Sequence, residues 1–322
     1  MNESTVYVYK TTPKTLERDV EKVLNTPDFQ DFYPEKETFI KINANYDRDW
    51  PGCNTSRWFL NALLKNLREK GFEDLKVIEG DLKFQPALKT IKAIGIDKIL
   101  EKYKVLFLPI ERLPRNDELP MILKNSQFIS TPLLHTHTFA VISVAAKNLY
   151  GLLPIYREKY HYMLSEKLLE LVKNVKVFSI VDGTVGLEGG SMRMGDPVKT
   201  DLLLAGWGPI AIDIIAAKIM GFSIEKVPYL KLAKEREMIN DVVLKGDFSL
   251  ESLPHYDFAY KNSMLSKFDL ELRGNRLTRG FFEYNRFLDR FGNCARRRYT
   301  EYVYHKKKSK VLNGDWTEYE NE

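Results

Sequence analysis

The residues best suited to chemistry in this 322-residue chain lie near its middle. His135-Thr136-His137 is followed by Lys147-Asn148 and then His161, so three of the five histidines fall within 27 residues and invite a common purpose. Side chains alternate along an extended segment, so a His-x-His pair turns both imidazoles to one face, where two metal ligands, or a ligand and a base, can converge. A hydrogen-bonded structural histidine at a strand end accounts for the same residue types without any ligand. Two carboxylates stand out further on. Asp182 closes the apolar run Lys176-Val177-Phe178-Ser179-Ile180-Val181 and precedes Gly183, and Asp213 sits inside the apolar stretch 209–220. A buried carboxylate is costly without a cation, a metal or several donors, although a first-turn Asp that interacts with a helix dipole meets the same requirement. Between the two lies a glycine-rich stretch from Glu188 through Gly189, Gly190 and Arg193 to Gly195. Its amides could cradle an anion with Arg193 adding a charge-assisted contact, or the stretch could be only a flexible connection.

Several chemistries have no support. Neither G-x-G-x-x-G nor G-x-x-x-x-G-K-[ST] is present, which argues against a common NAD-dependent dehydrogenase or a P-loop ATPase. G-x-S-x-G is missing as well. The two cysteines, Cys53 and Cys294, cannot supply four thiolates to an iron–sulfur cluster or form a disulfide framework, so no iron–sulfur cluster is expected.

The elements that must position these residues read as alternating strands and helices. Strand patterns occur at 5–9, 38–43, 75–79, 104–108, around 126–130, at 176–181 and at 201–205. Helix patterns follow Pro13 (Leu16, Val20, Val23, Leu24), span Trp58 to Leu67 with Gly71 as the stop, recur as short pieces around Leu88, Ile91 and Ile99, and cover 138–149 and 209–220. This alternation predicts an α/β fold: a Rossmann-like, mainly parallel sheet with helices on both faces. Asp182, at the end of its strand, would then face the crevice beyond the carboxyl ends of the strands.

With 44% hydrophobic and 29% charged residues the composition is that of a globular protein. No run of eighteen apolar residues occurs and the N-terminus lacks a basic-then-apolar leader, so a cytoplasmic location is expected. Charge is unevenly spread. Residues 1–270 carry 37 Lys and Arg against 36 Asp and Glu, whereas residues 271–310 carry 12 against 4, and the last twelve residues carry four acids and no base. The expected organisation is an α/β core over 1–245 and a helical, basic extension with an acidic tail over 246–322. In the extension Phe281, Tyr284, Phe287, Leu288 and Phe291 fall on one helical stripe, followed by Arg296, Arg297, Arg298 and by Lys306, Lys307, Lys308 and Lys310. Packing on the body, an anionic membrane surface and nucleic acid all compete for this segment. Nucleic acid ranks last because the body is neutral, and weak salt-sensitive contact of residues 296–310 with an anionic membrane surface is expected.

Taken together, the separated motifs resemble one family. Lys41-Ile42-Asn43, His135-Thr136-His137, the segment Lys147-Asn148-Leu149-Tyr150-Gly151-Leu152-Leu153-Pro154, Val181-Asp182-Gly183 and the Ala211-Ile212-Asp213 helix ending at Met220-Gly221 are similar to the family catalogued as domain of unknown function 362, over about residues 38–235. The resemblance implies an α/β core with its residues clustered at strand ends. Many relatives carry ferredoxin-type modules, whose cysteines this chain lacks. Where the family reads Lys-Thr-His this chain has His135-Thr136-His137, and where it reads Lys-Pro-Asn, Ile42 replaces the proline. The resemblance carries over to Lys41, Asn43, His137, Lys147, Asn148, Asp182, Glu188 and Asp213, but not to His135.

The expected function is an enzyme acting on a small anionic substrate or cofactor in a strand-end cleft. His137 would be a base or metal ligand, and Lys147 would neutralise an oxyanion or phosphate. Asp182 and Asp213 would hold a divalent metal with His137, or orient it. Lys41, Asn43, Asn148, Glu188, Gly189, Gly190 and Arg193 would bind the ligand. The alternative is a non-catalytic ligand-binding or redox-accessory protein with the same cleft.

Overall fold

A computed structural model describes residues 3–82, 85–124, 126–154, 157–190, 193, 195–239, 241–260, 298–299, 301–309, 311 and 313–320. The aromatic stripe of 281–291, Arg296, Arg297 and Lys310 lie outside the described residues. In chain order the elements begin with β1 (Ser4–Lys10), α1 (Leu16–Leu24), β2 (Thr38–Lys41), α2 (Arg57–Glu69), β3 (Leu75–Glu79), α3 (Ala87–Ala93), α4 (Ile96–Lys102) and β4 (Leu106–Pro109). A small hairpin of β5 (Arg115–Asn116) and β6 (Leu119–Pro120) precedes β7 (Gln127–Ser130), β8 (Leu133–His137), β9 (Val141–Ser143), α5 (Ala145–Asn148) and α6 (Leu164–Asn174). The body closes with β10 (Phe178–Glu188), β11 (Asp196–Gly206), α7 (Pro209–Ile219), α8 (Pro228–Glu235) and β12 (Val242–Gly246).

One ten-stranded sheet runs β12-β1-β11-β10-β7-β2-β3-β4, with β8 beside β10 and β9 beside β8. The pairs β10–β7, β7–β2, β2–β3, β3–β4, β10–β8 and β1–β12 are parallel, and only pairs that involve β11 or β9 are antiparallel. The fold is therefore α/β with a large, mixed, mostly parallel sheet. Neighbouring residues on the strands enter different apolar clusters, as the two-residue period of a strand requires. Phe39, Ile78, Phe128, Val181 and Leu204 pack with residues of α5 to α8. Their neighbours Ile40, Val77, Ile129, Ile180 and Leu203 pack with α1, α2 and α4. Helices thus cover both faces, which is why these strands read as continuous apolar runs.

Two expectations need correction. Residues 138–149 do not form one helix: Val141, Ile142 and Ser143 pair antiparallel with His137, Thr136 and His135, and only Ala145–Asn148 is α-helical. The run Val141-Ile142-Ser143-Val144 is rich in β-branched residues, which fit a pleated strand better than a helix. The strand expected at 176–181 instead continues to Glu188 as an 11-residue strand. Gly183 hides that continuation from a pattern search but is required by it, because a Cβ there would lie 2.7 Å from the Leu202 carbonyl oxygen on β11. Asp182 therefore sits in the interior of a strand rather than at its end.

β12 ends at Gly246, and the chain beyond stays on the body: Tyr256 donates through its hydroxyl to the Thr200 carbonyl at 2.8 Å, and Phe258 is buried. Residues 298–299 and 301–309 are helical. Tyr304 and Val311 pack with Tyr46, Trp50 and Leu187, and Arg48 pairs with Glu301 at 2.8 Å. Among the described residues no helix is long and apolar enough to cross a membrane.

Candidate functional site

The direction of winding reverses beside β2, the position at which open parallel sheets form a ligand crevice. The chain builds β2, β3 and β4 outward, then returns to lay β7 on the other side of β2, so the loops after β2 and β7 leave in opposite directions. Lys41, Glu79 and Ser130 are the last residues of β2, β3 and β7. Asn148, from α5, bridges the reversal: its Nδ2 donates to Ser130 Oγ at 2.8 Å and its Oδ1 accepts from Lys41 Nζ at 3.2 Å. Lys41 Nζ also donates to the Ile42 carbonyl at 3.0 Å and to Glu79 Oε1 at 3.2 Å. The same carboxylate accepts from the amides of Gly80 at 2.7 Å and Ala44 at 3.1 Å. Burial pushes the Lys41 ammonium below its ordinary pKa and Glu79 opposes that shift. The turn at 149–152 closes over Lys41 only because residue 151 is glycine, since a Cβ there would lie 2.8 Å from Lys41 Nζ.

Lys147 lies beside this cluster under different conditions. It is 7% exposed, and its Nζ stands 4.8 Å from the centroid of the Tyr150 ring. It makes no hydrogen bond or ion pair with any described residue. Burial, with like charge from Arg157 and Lys41, pushes its pKa down to about 7. The short helix that carries it is fixed from below by Asp213, which accepts from the amides of Ala145 at 2.7 Å and Ala146 at 3.1 Å and from the Tyr229 hydroxyl at 2.7 Å. Asp213 is fully buried, and burial pushes its pKa up to about 7 against those three donors.

His137 faces the same region. Its Nδ1 accepts from the amides of Phe139 at 3.1 Å and Ala140 at 3.2 Å, so the proton of the neutral ring sits on Nε2. Burial and the Lys147 charge keep its pKa well below the usual histidine value. His137 is therefore a neutral N–H donor. This corrects the expectation of a base or a metal ligand, because each of those roles needs a free ring lone pair. Phe139 stands 5.9 Å from His137 and 5.3 Å from His161, and His161 stacks on Tyr150 at 5.8 Å, which makes an aromatic wall next to Lys147. His135 is structural: its Nε2 hydrogen-bonds the Gly52 carbonyl, and burial pushes its pKa down to about 4.

Other expected site residues lie elsewhere. Asp182 accepts from the Ser56 amide at 2.9 Å, the Ser56 hydroxyl at 2.6 Å and the Thr184 hydroxyl at 2.7 Å, on the α2 face of the sheet. Asp213 belongs to the opposite face, with α5 and α8. A cation shared by His137, Asp182 and Asp213 is thus ruled out by the intervening sheet and by the protonated Nε2. No group of three or more His, Cys, Asp or Glu side chains suited to a metal is present among the described residues. Gly189 and Gly190 follow β10 on the way to β11, and their amides are already engaged. Gly189 N donates to the Ala259 carbonyl at 2.7 Å and Gly190 N to Thr136 Oγ1 at 2.8 Å, while Glu188 accepts from the Ala259 amide at 2.7 Å. An anion cradle built on Gly189 and Gly190 is corrected accordingly. Arg193 Nε donates to the Asn45 carbonyl at 2.9 Å, and the Asn43 side chain hydrogen-bonds Asn45, so both border the loop after β2.

The site therefore gathers Lys41, Asn148, Lys147 and His137 from the expected set and adds Glu79, Ser130, Tyr150 and Arg157. Arg157 is buried, donates to the Leu153 carbonyl at 3.4 Å and lies near enough to depress both lysines. Glu79 carried a readable signal: like Asp182 it follows an apolar strand and precedes a glycine. Arg157 carried none, because nothing in its spacing points to β2. The arrangement leaves Lys147 beside two cations, Arg157 and Lys41, and without an acidic partner among the described residues, a balance of charge that an anion would neutralise.

The model of the family described as Domain of unknown function (DUF362) matches residues 38–218, more than half of the chain, and every residue of this cluster lies within that span. The chain belongs to this family. No curated protein matches it.

Proposed function

We propose that the protein is an enzyme that binds a small anionic substrate at the winding reversal between β2 and β7 and uses Lys147 as its acid–base group. One observation carries this reading: a lysine 7% exposed, without an acidic partner among the described residues, beside Arg157 and Lys41. An isolated buried cation costs several kcal/mol, and a protein that needed only a packed core would place an apolar residue there. An incoming anion would supply the missing counter-charge. Arg157 would hold the anion, His137 Nε2–H would donate to a substrate oxygen, and Lys147 would take or give a proton near neutral pH. In this reading the parallel half of the sheet is Rossmann-like, with its ligand in the crevice that such sheets form at a winding reversal.

A second proposal concerns the C-terminal segment, taken as a basic helical extension of a cytoplasmic protein. Lys306 and Lys308 point outward, Tyr299 is 66% exposed and Tyr302 is 62% exposed. This surface supports weak, salt-dependent contact with an anionic membrane.

The site reading is tested by screening pooled metabolites for turnover, together with thermal shift in the presence of phosphate and small carboxylates. The wild-type midpoint is expected to rise with an anion, and turnover to vanish in Lys147→Met. A wild-type protein that no anion stabilises would remove the reading.

A further inference from the structure

Resting on that reading, we infer that Lys147 is a covalent nucleophile: its amine condenses with the carbonyl of a small anionic carbonyl compound to form a protonated imine, while Arg157 holds the substrate's carboxylate or phosphate. The geometry separates the two buried lysines of the crevice. Lys41 Nζ has its donors committed to Glu79, Asn148 and the Ile42 carbonyl, so it has no lone pair to offer. Lys147 Nζ lies over the face of Tyr150, with no carboxylate among the described residues to hold its proton and two cations nearby that favour losing it. These are the conditions under which a lysine attacks carbonyls: desolvation, cationic neighbours and an unencumbered nitrogen. The free-amine fraction at neutral pH follows from the same surroundings.

Every residue needed for the condensation is present. The neutral amine adds its lone pair to the carbonyl carbon, the carbon–oxygen π pair becomes an alkoxide that His137 Nε2–H stabilises by hydrogen bonding, and the alkoxide is protonated. Loss of water then breaks the carbon–oxygen single bond. One of the two protons that leave with that oxygen comes from the nitrogen and the other from solvent, and the remaining nitrogen proton stays on the iminium. No oxidant or reductant is consumed. The positive iminium replaces the ammonium, so the anion held by Arg157 serves as counter-ion throughout. The aromatic wall of Phe139, His161 and Tyr150 beside the nitrogen limits water at the imine, which slows its hydrolysis.

The test is reductive trapping on the full chain. The protein is incubated separately with pyruvate, as a carboxylate-bearing carbonyl, and with dihydroxyacetone phosphate, as a phosphate-bearing one, in the presence of cyanoborohydride, and adducts are mapped by peptide mass spectrometry. At about pH 7.5 Lys147 should be labelled on the order of a thousandfold faster than the average lysine, the ratio of free amine that its surroundings set. The arm that labels identifies the anionic group. Lys147→Arg should abolish the specific adduct without reducing the slow labelling elsewhere. Mapping the wild-type protein decides the matter without any variant: adducts spread evenly over the lysines with none favoured at Lys147 would overturn the inference. If anions still raise the unfolding midpoint in that case, the anion-binding crevice stands and only the covalent step fails. If they do not, both fail.

Discussion

Lys41 and Lys147 come from different elements, meet in one crevice and are both almost completely buried, yet they live in opposite surroundings. Around Lys41 every charge is answered: Glu79 opposes it, Asn148 and the Ile42 carbonyl take its remaining protons, and Glu79 is itself held by the amides of Gly80 and Ala44. Around Lys147 nothing among the described residues answers. A satisfied buried ion organises a structure, and an unsatisfied one stores free energy that a ligand can release. Asp182 and Asp213 belong with Lys41 in this respect, since each has three or more donors around its carboxylate. They looked catalytic in the sequence because a buried carboxylate requires partners, and here the partners are the protein's own.

The largest effect that would break the contrast is expected at Glu79. Glu79→Ala strips Lys41 of its counter-ion and leaves the Gly80 and Ala44 amides without an acceptor, which should cost about 3–5 kcal/mol in urea unfolding. Lys147→Met should do the reverse, raising stability by about 1–4 kcal/mol while abolishing turnover, because an apolar side chain of similar length replaces an uncompensated charge. If both variants are destabilised equally, the two lysines are not different in kind.

The pH dependence sharpens the same point. The Lys147 pKa of about 7 in the fold lies below its ordinary 10.5, so between these values the unfolded chain binds the extra proton and folding becomes more favourable as pH rises. The advantage of Lys147→Met over wild type should therefore be greatest below pH 7 and shrink toward pH 10.5. Asp213 carries the opposite sign. Its pKa is about 7 in the fold against 3.8 ordinarily, so the folded state holds the extra proton and wild-type stability falls as pH rises across that window. Paired denaturation series across both windows, wild type against each variant, would reveal either slope or its absence.

Smaller effects follow at the periphery of the cluster. Ser130→Ala removes the acceptor of Asn148 Nδ2 and should cost about 1 kcal/mol, with a parallel loss of anion affinity if Asn148 then releases Lys41. A separate effect, on association rather than on the fold, concerns the C-terminal helix. Each outward lysine should contribute about 1 kcal/mol to association with anionic vesicles, so Lys306→Gln with Lys308→Gln should reduce co-sedimentation, and binding that persists at high salt would remove the membrane proposal.

Much of this architecture could be read from residue patterns, for physical reasons that differ by region. The parallel strands were readable because burial on both faces forces apolar runs, and α7 was readable from Pro209 and its apolar length. The β10–β11 hairpin was only half readable, because Gly183 and Gly186 look like turn residues when what they provide is room for backbone. The helix expected over 138–149 failed where local β-branching and pairing with β8 outweighed helical spacing. In the site, Lys147 and His137 stood out by their company of polar residues, whereas their protonation states depend on partners such as Arg157 and on the amides of Phe139 and Ala140, which no spacing rule reaches. The assignment of Asp182 to a strand end was wrong because the strand does not end there.

The position of β1 has a consequence for how the molecule is made. This first strand lies between β11 and β12, with Tyr7 opposite Ala205 and Ser4 opposite Val242. Its apolar residues Val6 and Val8 thus have no lateral partner until nearly two hundred further residues have been synthesised, about 10–40 seconds at ordinary translation rates. The β2–β3–β4 unit, whose contacts are local, can assemble during that interval, whereas β1 must wait as an unpaired strand edge. Ribosome-held chains ending before residue 196 should therefore present their first ten residues to proteases and to chaperones. Chains that have released residue 246 should protect them, so the N-terminus is among the last parts of the protein to fold.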